Sequence, residues 1–538
     1  MKNLLTLLLI SLSTFSQAQF RFQHLYGGVN NERGQTLLET FNNKYIFNGA
    51  TTSYGQGSAD AILIKNDNDG QIIWSKVYGT SEYDNSEYVV EATDYGYVGV
   101  GRSIVNNGST THDAWIFKTD SAGTLQWSKT FGSPGVNDAF IHAINTSDNG
   151  YTFIGNTRSL GQGSDDVFMV HTDSNGDTVF TRTFGSPESE SGLSVFQTAD
   201  DGYVICGRQQ TFPNGLAESD GLIIRTDVNG DLLWANLYGD TMWEEFESIE
   251  ELPNGRLILA GSTVSFGEGN YDILMMMTDE MGVPINAYSY GGEKGDASYS
   301  INVNPDYTFT ISGYTDNFGH GHSLMGDDST NIFLLKTDTT GAVLWMVAYG
   351  DGLQDEAFRS AKSSDGGYLI SGFTVSYTPQ DSTQMLFIKT DSAGLTGCHE
   401  ELVAPATSSD TMDYRASGFI QSSGITVTSL SITETSITTV NNDACLFAEI
   451  EKGNLANEDL ISVYPVPFTT EINIDTENLK GNSFNVQLIN SSGQIVLSET
   501  YSSGIKIKTT ELSAGFYCVV VSGIEDRVVK RMLKVADN

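Results

Sequence analysis

Basic residues are scarce. In 538 residues, 28 Lys and Arg stand against 67 Asp and Glu, a formal net charge of −39. So acidic a surface repels phosphate backbones and anionic lipid heads, which argues against nucleic-acid and membrane-surface partners. It also keeps an exported chain in solution. Long apolar runs are missing after the first fifteen residues, and none reaches the roughly 20 apolar residues of a membrane helix. No segment carries a helical period, which excludes an α-solenoid. No nucleophile elbow, phosphate loop or Cys/His arrangement for acyl transfer is present. Cysteine is limited to Cys206, Cys398, Cys445 and Cys518.

What is present begins with an address. Met1-Lys2-Asn3 and the apolar "LLTLLLISLSTF" lead to Ser16 and Ala18 at the −3 and −1 positions of a cleavage site. Residues 1–18 read as a secretory signal peptide, with the mature chain beginning at Gln19. In an oxidising compartment Cys398 and Cys445, which bracket one Ser/Thr-rich segment, are expected to form a disulfide. Cys206 and Cys518 sit in apolar strand-like runs and read as buried thiols.

A phrase then recurs. The Asp of a repeated Thr-Asp or Asn-Asp falls at 67, 120, 173, 227, 279, 338 and 391. A period of about 53 residues marks a repeat architecture. Each unit reads as four strands. In the second copy these are "EYVVEAT", "YVGVGRS", "DAWIFKTD" and "TLQWSKTFG", joined by Asp/Asn/Gly turns. The third strand is apolar on both faces, as in "DILMMM" at 272–277, so sheets must cover it from both sides. Evenly spaced four-strand units define a β-propeller. The seventh copy stops after "KTDSAG", and "FRFQHLYG" at 20–27 supplies its missing strand, with Phe22 at the place of Trp127 and Tyr26 at that of Phe131. Residues 19–394 are thus expected to form an all-β, seven-bladed β-propeller closed by the N-terminal strand. The units resemble those of a bacterial β-propeller repeat family, "D-A-hydrophobic-K-T-D-x-x-G-x-x-x-W".

The longer loops between strands two and three, with the links between blades, form the expected binding face. Four of these loops share Gly-x-Gly beside Tyr54, Leu160, Phe266 or Phe318. Packing between blades is the favoured reading, and contact with a sugar or peptide the rival. His320 and His322, near Asp327 and Asp328, raise a metal site, but His320 occupies a variable slot of the loop pattern. The turns "DNDG", "DSNGD" and "DVNGD" lack the first ligand of a calcium loop and read as hairpin turns. Asp60, Asp113, Asp166, Asp220 and Asp272 precede the third strand in most copies and read as turn or cap residues. The acidic links at 185–191, 239–247 and 350–357 offer carboxylates for glycoside hydrolysis, with no pair singled out. No catalytic residue, metal site or cofactor is assigned.

Residues 395–457 are rich in Ser and Thr and read as a linker with a little strand. Residues 458–538 alternate like a small β-sandwich. They resemble the C-terminal sorting domain of the Bacteroidetes type IX secretion system. The matching motifs are Tyr464-Pro465, Pro467-Phe468, the hairpin at Gly493, and the "LSAGFY" of Gly515 and Tyr517; Val466 departs from the usual Asn. The resemblance implies engagement of the type IX machinery and a secreted or outer-membrane-surface location. The propeller is then expected to bind an extracellular protein or glycan. The alternative is a polysaccharide-active hydrolase or lyase with carboxylates at the channel mouth.

Overall fold

Each repeat turns on one aspartate. Asp120 Oδ1 accepts hydrogen bonds from the backbone N–H of Ala122 (2.9 Å) and Thr124 (2.8 Å), and Gly123 takes φ +76°. The side chain thereby mimics a backbone turn, and glycine accepts the left-handed conformation without a Cβ clash. Asp67, Asp173, Asp227, Asp279, Asp338 and Asp391 make the same pair of bonds.

The turn also receives the neighbouring blade. Trp74 lies against Gly123, Trp127 against Gly176, Trp234 against Gly282 and Trp345 against Gly394. Tyr78, Tyr238 and Tyr290 donate their hydroxyls to the carbonyls of Gly123 (2.6 Å), Gly282 (2.7 Å) and Gly341 (2.8 Å). Phe22 and Tyr26 do the same at Gly70, where the Tyr26 bond is 2.7 Å. The repeated aromatic pair is therefore an inter-blade lock, and burying each large ring contributes about 2 kcal/mol.

The computed structural model describes residues 21–534 except 106–109, 213–217, 240–241, 320–328, 378–381, 411, 426, 430–431, 438–439, 444–461, 465–469, 476–483, 491–494, 502–504, 511, 513–514 and 523–526. Seven antiparallel sheets form the blades. Blade 2, for example, runs Asp84–Glu91, Tyr97–Ser103, Asp113–Thr119 and Leu125–Phe131. The first strands of successive blades touch one another around a closed ring, so they line the axis. The third strands are buried along almost their whole length, as in Asp272–Thr278, because a blade covers each side. In blade 7 the N-terminal strand Phe22–Gly27 pairs with Gln384–Lys389, Phe22 opposite Lys389 and Tyr26 opposite Met385. The ring closes as the sequence predicts.

The Ser/Thr-rich segment is more than a linker with a little strand. Seven short strands between Glu400 and Asp443 each add a fifth, outermost strand to one blade. They visit blades 6, 5, 4, 3, 2, 1 and then 7, against the direction of the blades themselves. One apolar side chain per blade anchors this belt: Leu395, Val403, Met412, Phe419, Ile425, Ile432 and Ile437 each pack against a different core cluster. The last belt strand, Val440–Asp443, covers the N-terminal strand, which is thus held on both edges. Cys398 is disulfide-bonded, while Cys445 lies outside the described residues. Cys206 is a free, buried thiol.

Beyond the belt, a three-stranded and a four-stranded sheet pack on one core of Ile472, Ile474, Phe484, Val486, Leu488, Ile505, Ile507, Val519 and Val521. This is the expected small sandwich. Tyr464 ends the strand Ser462–Tyr464, and Gly515 and Tyr517 lie in Gly515–Ser522; Pro465, Pro467, Phe468 and Gly493 lie outside the described residues.

Candidate binding site

Every first strand begins with a buried acid: Glu32, Asp84, Asp138, Glu190, Glu244, Asp296 or Asp355. In most blades it accepts a hydrogen bond from a hydroxyl ending the second strand, as Glu32 does from Thr51 (3.1 Å) and Glu244 from Thr263 (2.9 Å). In blade 4 the donor is Gln209 Nε2, 2.8 Å from Glu190. Three residues further on, each first strand breaks register with a one-residue bulge. A bulge adds a residue without a ladder partner and re-aims its side chain. The seven bulged residues are Gln35, Glu87, Ile141, Leu193, Glu247, Tyr299 and Phe358, all on the strands that line the axis.

Six of them line an axial cavity of about 300 Å³ together with Arg33, Tyr83, Asn85, Arg102 and Arg359. Its walls are not equivalent. On one side stand Tyr299 and Phe358, and with Tyr314 and Phe373 packed against them they form a run of rings with centroids 6.0, 5.6 and 5.8 Å apart. Arg33 lies over Phe358 and Phe373, at 4.7 and 5.1 Å. Opposite, Glu87 accepts from Asn85 Nδ2 at 2.6 Å and faces Arg102 at 3.6 Å. Arg359 donates to the Tyr299 carbonyl. Glu247 is pushed up to about 7, first by burial and then by the neighbouring Glu245, against the pull of Arg359 and Arg208. Burial also raises Glu87, against Arg102, Arg33 and Arg359. A carboxyl near neutrality beside guanidinium groups and aromatic rings can exchange a proton or donate a hydrogen bond to a polar ligand.

The loop residues singled out from the sequence lie elsewhere. Tyr54 donates to the Gly27 carbonyl (3.1 Å), and its ring packs on a blade core, as do Phe266 and Phe318. Leu160 is half-buried. The first glycine of the loop motif has φ +102° at Gly55 and +110° at Gly161. A Cβ on the second would strike the next link's backbone, 1.8 Å from the Glu82 carbonyl for Gly57 and 1.9 Å from that of Glu188 for Gly163. The acids that start the third strands complete this loop: Asp60 accepts from Gln56 N and Gly57 N at 3.1 Å, and Asp272 from Gly269 N at 3.0 Å. His320, His322, Asp327 and Asp328 lie outside the described residues. Among those described, no group of three or more His, Cys, Asp or Glu is placed to hold a metal.

The bulged residues escaped the sequence reading. Set on the first-strand acids rather than on the Thr-Asp phrase, the copies share a position three residues downstream that takes six residue types in seven blades, only Glu recurring, at 87 and 247. That position is the signal.

The fold is that of a seven-bladed propeller joined to an export domain. Residues 462–535 match the family model described as a secretion system C-terminal sorting domain. The chain is thus a secreted or surface protein whose sorting domain engages the type IX machinery. No curated protein matches it. Solved structures similar to it include Sqt1 from Chaetomium thermophilum, 10% identical with TM-score 0.37, covering 64% of this chain and 81% of that one. A protein of unknown function from Dyadobacter fermentans is 9% identical with TM-score 0.38, covering 68% and 97%. The extracellular domain of a putative one-component system from B. thetaiotaomicron is 12% identical with TM-score 0.27, covering 94% and 80%. Likenesses this weak carry no argument. No helix among the described residues is long and apolar enough to cross a membrane.

Proposed function

We propose that the propeller binds a saccharide outside the cell, in the axial cavity, and that the sorting domain delivers it there. Export begins with cleavage of the signal peptide near Ala18, as in Bacteroidetes proteins of this secretion type, and the sorting domain is removed or used for surface attachment. One observation carries the reading. The bulged position takes six residue types in seven blades, only Glu recurring, whereas the residues that build the blades repeat. A scaffold would line its channel with equivalent residues. A ligand without sevenfold symmetry requires a lining of this kind. The Tyr299 and Phe358 rings that line the cavity offer a stacking surface for sugar rings, and the Glu and Arg groups offer partners for hydroxyls.

A second reading, a polysaccharide-active hydrolase or lyase, is favoured by Glu247. Its carboxyl, pushed up to about 7, is suited to proton transfer at neutral pH. A saccharide array probed with the full exported chain tests both. Binding that falls at least about tenfold in Tyr299→Ala and Phe358→Ala supports the first reading. Product formation that Glu247→Gln abolishes, with binding retained, moves the assignment to the enzyme. No binding to any saccharide overturns the proposal.

A further inference from the structure

Resting on that reading, we infer that the cavity is specific for an acidic saccharide, one whose ring carries a carboxylate or sulfate.

The chain is strongly acidic, with 67 Asp and Glu to 28 Lys and Arg, yet three arginines converge on this one cavity. They are not equally occupied. Arg359 is committed to the Tyr299 carbonyl. Arg33 is stretched over Phe358 and Phe373 with its side chain about half exposed, and the one acid paired with it, Glu356, is 4.0 Å away. Arg102 shares a 3.6 Å ion pair with Glu87 through Nη2, but its Nε is buried and donates to no described residue. Beside it the buried Asn85 Oδ1 accepts from no described residue, although Asn85 Nδ2 is engaged by Glu87. Buried polar atoms are ordinarily paired. Here both atoms belong to residues that line the same 300 Å³ space. The half-exposed Arg33 guanidinium is the one a ligand reaches directly, and an anion answers it. A planar guanidinium is the side chain best suited to an oxyanion.

The acids of the cavity do not cancel this. Glu87 is already held by Asn85 and Arg102. Glu247 faces Glu245, Arg359 and Arg208, and Glu245 is itself tied to Arg208 at 2.5 Å. Once protonated, Glu247 becomes a donor toward an anionic ligand; ionised, it repels one. The stacking rings hold the saccharide body, while Arg33 and Arg102 select its charge.

The test measures binding of the full exported chain to three probes by calorimetry. They are a uronic-acid trisaccharide, the same trisaccharide with its carboxyls reduced to alcohols, and a sulfated disaccharide. The uronate is expected to bind at least about tenfold more tightly than its reduced form, with an affinity that falls as salt rises. Preference for the sulfated probe over the uronate assigns the anion as sulfate. Arg33→Gln should remove most of that preference, and a thermal melt within a few degrees of the parent shows the variant folded; a preference kept by the folded variant would overturn the role of Arg33. Tightening as pH falls from 8 to 6 should vanish in Glu247→Gln. If the reduced trisaccharide binds as well as both charged probes, this inference is wrong and saccharide binding stands. If none of the three binds and the array is blank, the underlying reading fails.

Discussion

At the end of each outer strand stands a glycine with two polar side chains against it. A Cβ at Gly79 would lie 2.2 Å from Asp60 Oδ1 and 2.9 Å from Asp84 Oδ2. Gly132, Gly185, Gly239 and Gly291 likewise sit between an acid that starts a third strand and one that starts the next blade's first strand. The crowding raises these acids: Asp60, Asp113 and Asp296 are pushed up to about 6, by burial first, with the facing carboxylate adding to the shift. Blades 6 and 7 replace the third-strand acid with an amide, Asn331 or Gln384, and Gln384 Nε2 donates to Glu32 at 3.0 Å. The amide supplies the proton that an acid pair lacks at neutral pH. Asp60→Asn should therefore stabilise the protein at pH 8 by about 1 kcal/mol, a value reduced for solvent screening at the loop face, and change little at pH 4. Thermal melts of the variant at both pH values check this. Equal gains at both would show that charge is not the cause. Gly57→Ala should cost about 2 kcal/mol by denaturant titration, because its Cβ has nowhere to go beside the Glu82 carbonyl.

The belt poses the question of what one β-edge is worth. Each blade ends in a strand whose outer edge would be open without residues 400–443. Open edges template aggregation. A chain ended at residue 397 loses six of the seven apolar anchors as well as the edge cover, and should aggregate or melt at least about 10 °C lower; one ended at 457 should melt with the full chain. Differential scanning calorimetry of both truncations decides it, and equal melting would show the belt to be ornamental. Peptide mapping without reductant should join Cys398 to Cys445. Little of this was legible. The belt strands begin at 400, 406, 414, 420, 427, 433 and 440, six to eight residues apart, and each is three to five residues long. So short a strand with one anchor, such as Phe419 or Ile432, has no period-two pattern to detect. The blades were legible because Asp120, Gly123, Trp127 and their copies each perform one local task that recurs. The axial site was not, since a bulge such as that at Glu247 exists only once two strands are paired.

For the whole molecule, two populations of carboxyl group pull stability in opposite directions as pH changes. Asp60, Asp113, Asp296, Asp316 and Asp355 are pushed up to about 6 and Glu247 to about 7, burial being the first cause in each. A group whose folded value lies above its unfolded value destabilises the fold when ionised and ceases to do so once protonated. Their combined cost is thus full at pH 8 and fades as pH falls through 7 to about 4. Turn-face acids behave in reverse. Hydrogen bonds and Arg225 hold Asp200 down to about 2, Asp120 and Asp173 are lowered by the turn bonds that define the repeat, and Asp338 is lowered first by the Thr340 hydroxyl and then by those bonds. Their contribution is present above about pH 4 and is lost as pH drops below it. Self-repulsion of a −39 surface adds to the cost on the alkaline side. The melting temperature should therefore peak between about pH 4.5 and 6, decline gently toward pH 8 and fall steeply below pH 4. Raising salt from about 50 to 500 mM should lift the pH 8 value more than the pH 5 value, because screening acts on charges that have been ionised. Scanning fluorimetry across pH 3–9 at the two salt concentrations reads this directly. A maximum at pH 8, or a salt effect that is the same at both pH values, would mean that the paired acids of the blade junctions do not govern the stability of the ring.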